Sequence, residues 1–113
     1  MINRKNRFHG HNYVSRVRGP AVHTDLLSFR FAKNLKRKDY RLAVVVSKKV
    51  APTAVQRNRI RRRLYEIVRK SARFQNTPID LIIYVKQADV SSVHPDVLQS
   101  EVDKLSIKII QRF

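Results

Sequence analysis

The sequence predicts a single small α+β domain with the element order α-β-β-α-β-α. Three observations lead there. A chain of 113 residues suits one compact core. Its apolar residues, 42% of the total, fall in short periodic runs. The period is two in the first half, becomes 3.6 after Thr53, and gives way to a strand-sized apolar run at 81–85. Finally, strand, long helix and strand follow one another, and such a βαβ unit makes its two strands parallel. The two earlier strands, joined by a short turn, read as an antiparallel hairpin. The expected result is a mixed sheet with helices packed mainly on one face and the other face partly bare.

Each element has its own warrant. Residues 1–10, MINRKNRFHG, are polar and basic and read as a flexible tail ahead of one domain over 11–113. Asn12 is placed to cap a short helix carrying Tyr13, Val14 and Val17, which Gly19-Pro20 ends. In LLSFRF, 26–31, Leu27, Phe29 and Phe31 alternate with Ser28 and Arg30, the pattern of a half-buried strand. KNLKRKD, 33–39, is a basic turn. YRLAVVVSKK, 40–49, is a second strand, more continuously apolar and so expected to be central. Thr53 is the N-cap of a helix running to about Ala72, whose apolar stripe is Ile60, Leu64, Ile67 and Val68. IDLIIYVK, 79–86, is a third strand, with Asp80 expected as a turn or capping residue. Ser92 to Pro95 opens a last helix with Leu98, Val102, Leu105 and Ile109 on one face. No repeat, low-complexity segment or domain boundary interrupts this order.

Charge narrows the function. Twenty-five Lys+Arg face 8 Asp+Glu, for a net +17. Charge that far from zero speaks of partners, and the candidate polyanions are nucleic acid, an anionic membrane and an acidic protein. The chain has no cysteine, so disulfides, thiolate metal sites and a cysteine nucleophile are excluded. No apolar run approaches the roughly 18 residues of a membrane span. Met1 to Thr24 is acid-free and arginine-rich, as in a transit peptide, but it lacks the apolar segment of a secretory signal and is no more basic than the rest. A cytoplasmic protein is expected.

The positive charge is concentrated. Of the 25 cations, 16 lie between Arg30 and Arg73, and AVQRNRIRRR, 54–63, holds five arginines and no acid. On a wheel at 100° per residue, Asn58, Arg62, Tyr65 and Arg69 fall opposite the apolar stripe, with Arg59 and Arg61 flanking them. Arg57 and Arg63 lie nearer the stripe's edges. A solvated helix face usually mixes signs so that i,i+4 pairs form, yet only Glu66 is available here. A nucleic acid compensates such repulsion by releasing its own counterions, and arginine's planar fork suits phosphate. A membrane-surface helix would have to expose the apolar stripe, which the core needs. An acidic protein partner also fits the charge.

The stretch VVVSKKV, a short link and AVQRNRIRRRL resembles the signature of the bacterial ribonuclease P protein subunit family, which reads strand, Ser-Lys-Lys, link, Ala-Val-x-Arg-Asn-Arg-x-Lys/Arg-Arg. It falls here on Ser47, Lys48, Lys49, Ala54, Val55, Arg57, Asn58, Arg59, Arg61 and Arg62. The element order agrees as well, over roughly residues 7 to 111. The resemblance implies a small α+β fold with a left-handed βαβ crossover, against the usual hand. It implies a monomer bound one-to-one to ribonuclease P RNA in a ribonucleoprotein, with precursor tRNA as substrate and endonucleolytic removal of its 5′ leader as the activity. The RNA performs the chemistry with Mg²⁺ held by RNA and substrate phosphates, and the protein is an accessory subunit without catalytic residues. Carried over residue by residue, the RNA-binding set is Lys48, Lys49, Arg57, Asn58, Arg59, Arg61, Arg62 and Arg69. The leader cleft is Tyr13 and Val17 from the first helix, Ser28 and Arg30 from the first strand, and Tyr84 and Lys86 from the third. The link VAPTAV is longer than the Gly-Asn turn of many members. Val17 and Arg30 stand where aromatics occur, and Tyr65 replaces a frequent arginine.

Other chemistries find little support. The acids are scattered, whereas a two-metal nuclease needs carboxylates converging on ions about 3.5–4 Å apart. His9 and His11 lie in the tail, His23 has no partner at motif spacing, and His94 belongs to the start of the last helix. No Gly-rich phosphate loop exists, and neither a protein-bound metal nor a small-molecule substrate is expected. The charge is too uniform for base readout by a DNA-recognition helix. A ribosomal or other structural RNA-binding protein is the main alternative.

Overall fold

A computed structural model of the chain describes Asn6, Arg7 and residues 17–112. Its elements are β1 (Ala21–His23), β2 (Leu27–Lys33), β3 (Arg41–Val45), α1 (Ala54–Ser71), β4 (Ile79–Val85), a 3-10 turn (Ala88–Ser91) and α2 (Pro95–Ile110). The sheet order is β1-β2-β4-β3, with β1–β2 and β2–β4 antiparallel and β3–β4 parallel. The mixed sheet and the β3–α1–β4 unit follow the sequence reading.

The hairpin does not form. β4 inserts between β2 and β3, so the first two long strands are not neighbours. The reason lies in burial: six of the seven β4 residues are buried, and a strand apolar on both faces needs a partner on each edge. β3 carries Arg41 and takes the sheet edge instead of the centre. It also stops at Val45. Ser47 turns the chain, its carbonyl accepting from the amides of Val50 and Ala51 at 3.2 and 3.0 Å, so the Ser-Lys-Lys segment is a turn and not a strand end. The edge of β3 meets the N-terminal segment: Arg7 bridges to Leu42, and the buried Asn6 donates from Nδ2 to the Tyr40 carbonyl at 2.8 Å. Two residues of the segment read as a tail thus lie against the β3 edge. The expected helix over 12–18 lies outside the described residues except for Val17 and Arg18, which are not helical.

β1 was not legible as a strand, since three residues carry no period. It is held by Gly19-Pro20, which runs close beside β2. The Pro20 carbonyl accepts from the Phe31 amide at 3.1 Å, and a Cβ on Gly19 would stand 1.7 Å from the Phe31 carbonyl oxygen. Glycine is required there by that approach.

Alternation sorts the strands into two faces. Leu27, Phe29, Phe31, Leu42, Val44, Leu81, Ile83 and Val85 meet Ile60, Leu64, Ile67 and Val68 of α1 and Leu98, Val102, Leu105 and Ile109 of α2. Both helical stripes are those read from the sequence. Full burial of each such side chain contributes about 1.5–3 kcal/mol. α1 starts in a capping box: Thr53 Oγ1 accepts from the Gln56 amide, and the Gln56 side chain accepts from the Thr53 amide, both at 3.2 Å. It ends at Ala72 in the left-handed region, φ 54°. α2 is capped by His94, whose Nδ1 accepts from the Asp96 amide at 3.1 Å. The opposite sheet face carries a smaller cluster, Val17, Ala43 and Ile82, with Ala32, Val45 and Tyr84 against it. Among the described residues no helix is long and apolar enough to cross a membrane.

Candidate nucleic-acid interface

The cationic side of α1 divides into anchored and free charges. Arg57 folds back over the preceding link, Nη1 donating to the Ala51 and Pro52 carbonyls at 3.0 Å each. Arg61 Nη1 donates to Asn58 Oδ1 at 3.0 Å. Arg69 holds Glu66 through Nε to Oε2 at 3.2 Å and through Nη2 to Oε1. These bonds push the Glu66 carboxyl down to about 2, so it stays anionic across the working range and offsets Arg69. Arg63 reaches across to the segment after β4, donating to the Val90 carbonyl at 2.9 Å and to the Val93 carbonyl. Its charge thus tethers the fold, as its place at the edge of the apolar stripe suggests. Arg59 and Arg62 are exposed and make no hydrogen bond or ion pair among the described residues. Lys48 and Lys49 are exposed in the turn just before the helix. The eight residues read as RNA-facing therefore lie along α1 and the turn at its N-terminus, with Arg57, Arg61 and Arg69 already fixed in place.

The second sheet face forms rows across the strands. His23, Ser28, Tyr84 and Val45 make one row, and Ala21, Arg30, Ile82 and Ala43 the next. Val17 is buried on Ala43 and Ile82 and fills the middle of this face. Arg30 lies half-buried, Nη1 donating to the Gly19 carbonyl at 3.2 Å. Tyr84 is half-buried. Lys86 extends the β4 line: its amide donates to the Leu26 carbonyl and its Nζ to the Thr24 carbonyl, both at 2.9 Å. Val17, Ser28, Arg30, Tyr84 and Lys86 are thus brought to one face, while Tyr13 lies outside the described residues.

Asp80 corrects the sequence reading. It is neither a turn nor a cap but a buried member of β4. In the row Ala32–Asp80–Arg41, its oxygens accept from Arg41 Nε and Nη2 at 3.2 Å each and from Asn34 Nδ2 at 3.0 Å. Two other acids are also engaged in structure: Asp103 accepts from Arg73 Nε at 3.0 Å, and Asp39 accepts from the Tyr40 and Asn76 amides at 2.9 Å. Among the described residues no three His, Asp or Glu side chains converge as metal ligands do. Sequence reasoning did not place His23 on the second sheet face, because β1 is too short to show which side its residues take. The spacing of Ala21 and His23 about the buried Val22 is the one signal that hinted at it.

A small α+β domain with one densely cationic helix and a second, partly polar sheet face is a nucleic-acid-binding protein by class, and its fold has been seen before. It aligns with the ribonuclease P protein of Staphylococcus aureus at TM-score 0.75 and 22% identity, covering 93% of this chain and 94% of that one. It aligns with the ribonuclease P protein from Thermotoga maritima at TM-score 0.66 and 22% identity, covering 78% and 82%. At these identities the likeness concerns the fold. Among curated proteins, none matches the chain. The family model described as Ribonuclease P matches residues 2–110, and the chain belongs to that family. Its role is therefore that of an RNA-binding protein subunit of ribonuclease P in tRNA processing, with RNA as its partner in a ribonucleoprotein.

Proposed function

We propose that α1 and the turn before it seat this protein on ribonuclease P RNA, while the second sheet face holds the 5′ leader of precursor tRNA. The observation that carries this reading is the separation of two surfaces. Arg59 and Arg62 lie exposed on α1, away from that helix's buried stripe, and Ser28, Arg30, Tyr84 and Lys86 lie on the sheet face that α1 does not cover. Two RNA segments can then be held at once. Lys48, Lys49, Arg59 and Arg62 release counterions from the RNA subunit, and the bonds already made by Arg57 and Arg61 reduce the side-chain ordering that binding costs. On the sheet face a ring and cations suit a single strand whatever its sequence. The protein is a cytoplasmic monomer in a one-to-one complex. The RNA subunit and substrate phosphates carry Mg²⁺, and the RNA performs hydrolysis. The protein's contribution is electrostatic: +17 placed between two polyanions lowers their mutual repulsion and thus the Mg²⁺ needed.

Photo-cross-linking in the reconstituted holoenzyme tests the division of surfaces. A photoreactive group at position 62 should label the RNA subunit, and one at position 30 the leader. Exchange of those two labels would contradict the proposal.

A further inference from the structure

We propose that the turn between β2 and β3 is a further contact for ribonuclease P RNA, in which Leu35 packs on an unpaired base and Lys36 and Lys38 hold the phosphates beside it. This rests on the α1 seating proposed above and extends it to a second point on the same RNA. Leu35 is 85% exposed, more than any other large apolar side chain among the described residues. It occupies one corner of a β-turn, Asn34 to Arg37, closed by the Arg37 amide donating to the Asn34 carbonyl at 3.0 Å. Turns favour small or polar residues at such positions. Neither corner, Leu35 or Lys36, has a positive φ, so the backbone makes no special demand of the side chain. Leucine is thus required there by neither turn nor core. Lys36 and Lys38 are exposed, and their ammonium groups make no hydrogen bond or ion pair among the described residues.

The turn is held in shape without a partner. Asn34 Oδ1 accepts from the Lys36 amide at 3.2 Å, and Asn34 Nδ2 donates to Asp80 Oδ2 at 3.0 Å. The Asn34 amide donates to the Pro78 carbonyl at 2.8 Å, and Arg37 Nε donates to the Asp39 carbonyl at 3.2 Å. A fixed tip reduces the ordering that binding costs. Residues 33–39 carry four cations and one acid, and that acid, Asp39, accepts from two backbone amides. RNA complements this charge with its phosphates, and its loops and bulges offer unpaired bases to an apolar side chain. The bonds to Pro78 and Asn76 set the turn beside the segment that follows α1, whereas Lys48 and Lys49 precede the other end of that helix. Eighteen helical residues span roughly 27 Å, so the two contacts grip separate parts of the RNA.

The test measures affinity of the full chain for the ribonuclease P RNA of its own source across a salt series, with thermal melts of each variant. Leu35→Ala should weaken binding about tenfold, and equally at low and high salt, because apolar burial releases no counterion. Leu35→Met should restore most of the loss. Lys36→Ala combined with Lys38→Ala should flatten the slope of log affinity against log salt by roughly 1.4–1.8, the share of two phosphate contacts. Melting temperatures should stay unchanged, since all three side chains are exposed. Arg62→Ala is the reference for the α1 seat. Unchanged affinity in Leu35→Ala, beside a clear loss in Arg62→Ala, would overturn the turn contact alone. No loss in any of these variants would overturn the turn contact and the α1 seat together. A photoreactive group at position 35 in the reconstituted holoenzyme should label the RNA subunit. A label on precursor tRNA alone, or on neither RNA, would also overturn the turn contact.

Discussion

Arg62 and Arg63 are adjacent cations of equal charge, yet the structure gives them opposite work. Arg62→Ala removes an exposed side chain without a partner among the described residues. Its effect on stability should stay within about 0.5 kcal/mol, as for other surface changes. Its effect on RNA should be clear. Each phosphate contact adds roughly 0.7–0.9 to the slope of log affinity against log salt. Losing one contact should flatten that slope by the same amount, so the mutant's deficit should shrink about threefold between roughly 50 and 200 mM salt. Arg63→Ala deletes the donor to the Val90 and Val93 carbonyls instead. It should cost about 1–2 kcal/mol of folding stability and leave the salt slope nearly intact. The assay is filter binding of ribonuclease P RNA across a salt series, with urea unfolding of each variant in parallel. Equal slope changes in the two variants would refute the division into anchored and free arginines.

Two further predictions follow from the same contacts. Asp80→Ala removes the buried carboxylate that accepts from Arg41 Nε and Nη2 and from Asn34 Nδ2 on the second sheet face. It should lower stability by about 2 kcal/mol in urea unfolding, while Arg41→Met with Asp80→Leu should recover much of the loss, since replacing both members of such a pair is often close to neutral. Glu66 has a folded-state value below its ordinary one because Arg69 bonds its charged form, so the pair's contribution is fully present above the normal glutamate range and is lost as pH falls toward about 2. A carboxyl-carbon NMR titration should show that midpoint, moving up toward the ordinary range in Arg69→Ala.

Local features of this fold were legible in the sequence, and long-range ones were not. α1 could be read from its Thr53 cap and its Ile60, Leu64, Ile67 and Val68 stripe, because both depend on residues within a turn or two. That Glu66 has cations at i,i+3 and i,i+4 on both sides could be read on the same grounds, but not that Arg69 is the one it holds. Strand order could not, because the insertion of β4 between β2 and β3 depends on which strand is apolar on both faces, a competition decided over the whole sheet. Asp80 looked like a turn residue because its partner Arg41 is 39 positions away. On the cationic helix the arginines could be counted, but not sorted. That Arg57 and Arg63 spend their donors on backbone carbonyls is visible only once the link and the segment after β4 are folded against α1. The second sheet face was partly anticipated through the alternation of Ser28 and Arg30, whereas His23 needed the β1 register.

The account's central claim is that this protein seats on a catalytic RNA and assists it. The measurement that tests it most directly is cleavage of a precursor tRNA by a bacterial ribonuclease P RNA at low Mg²⁺, with and without the protein, beside a control lacking the RNA. The account predicts that the protein restores cleavage at the 5′ end of the mature tRNA and does nothing by itself. Binding to that RNA with no gain in rate, even for the RNA of its own source, would contradict it and favour a ribosomal or other structural RNA-binding role.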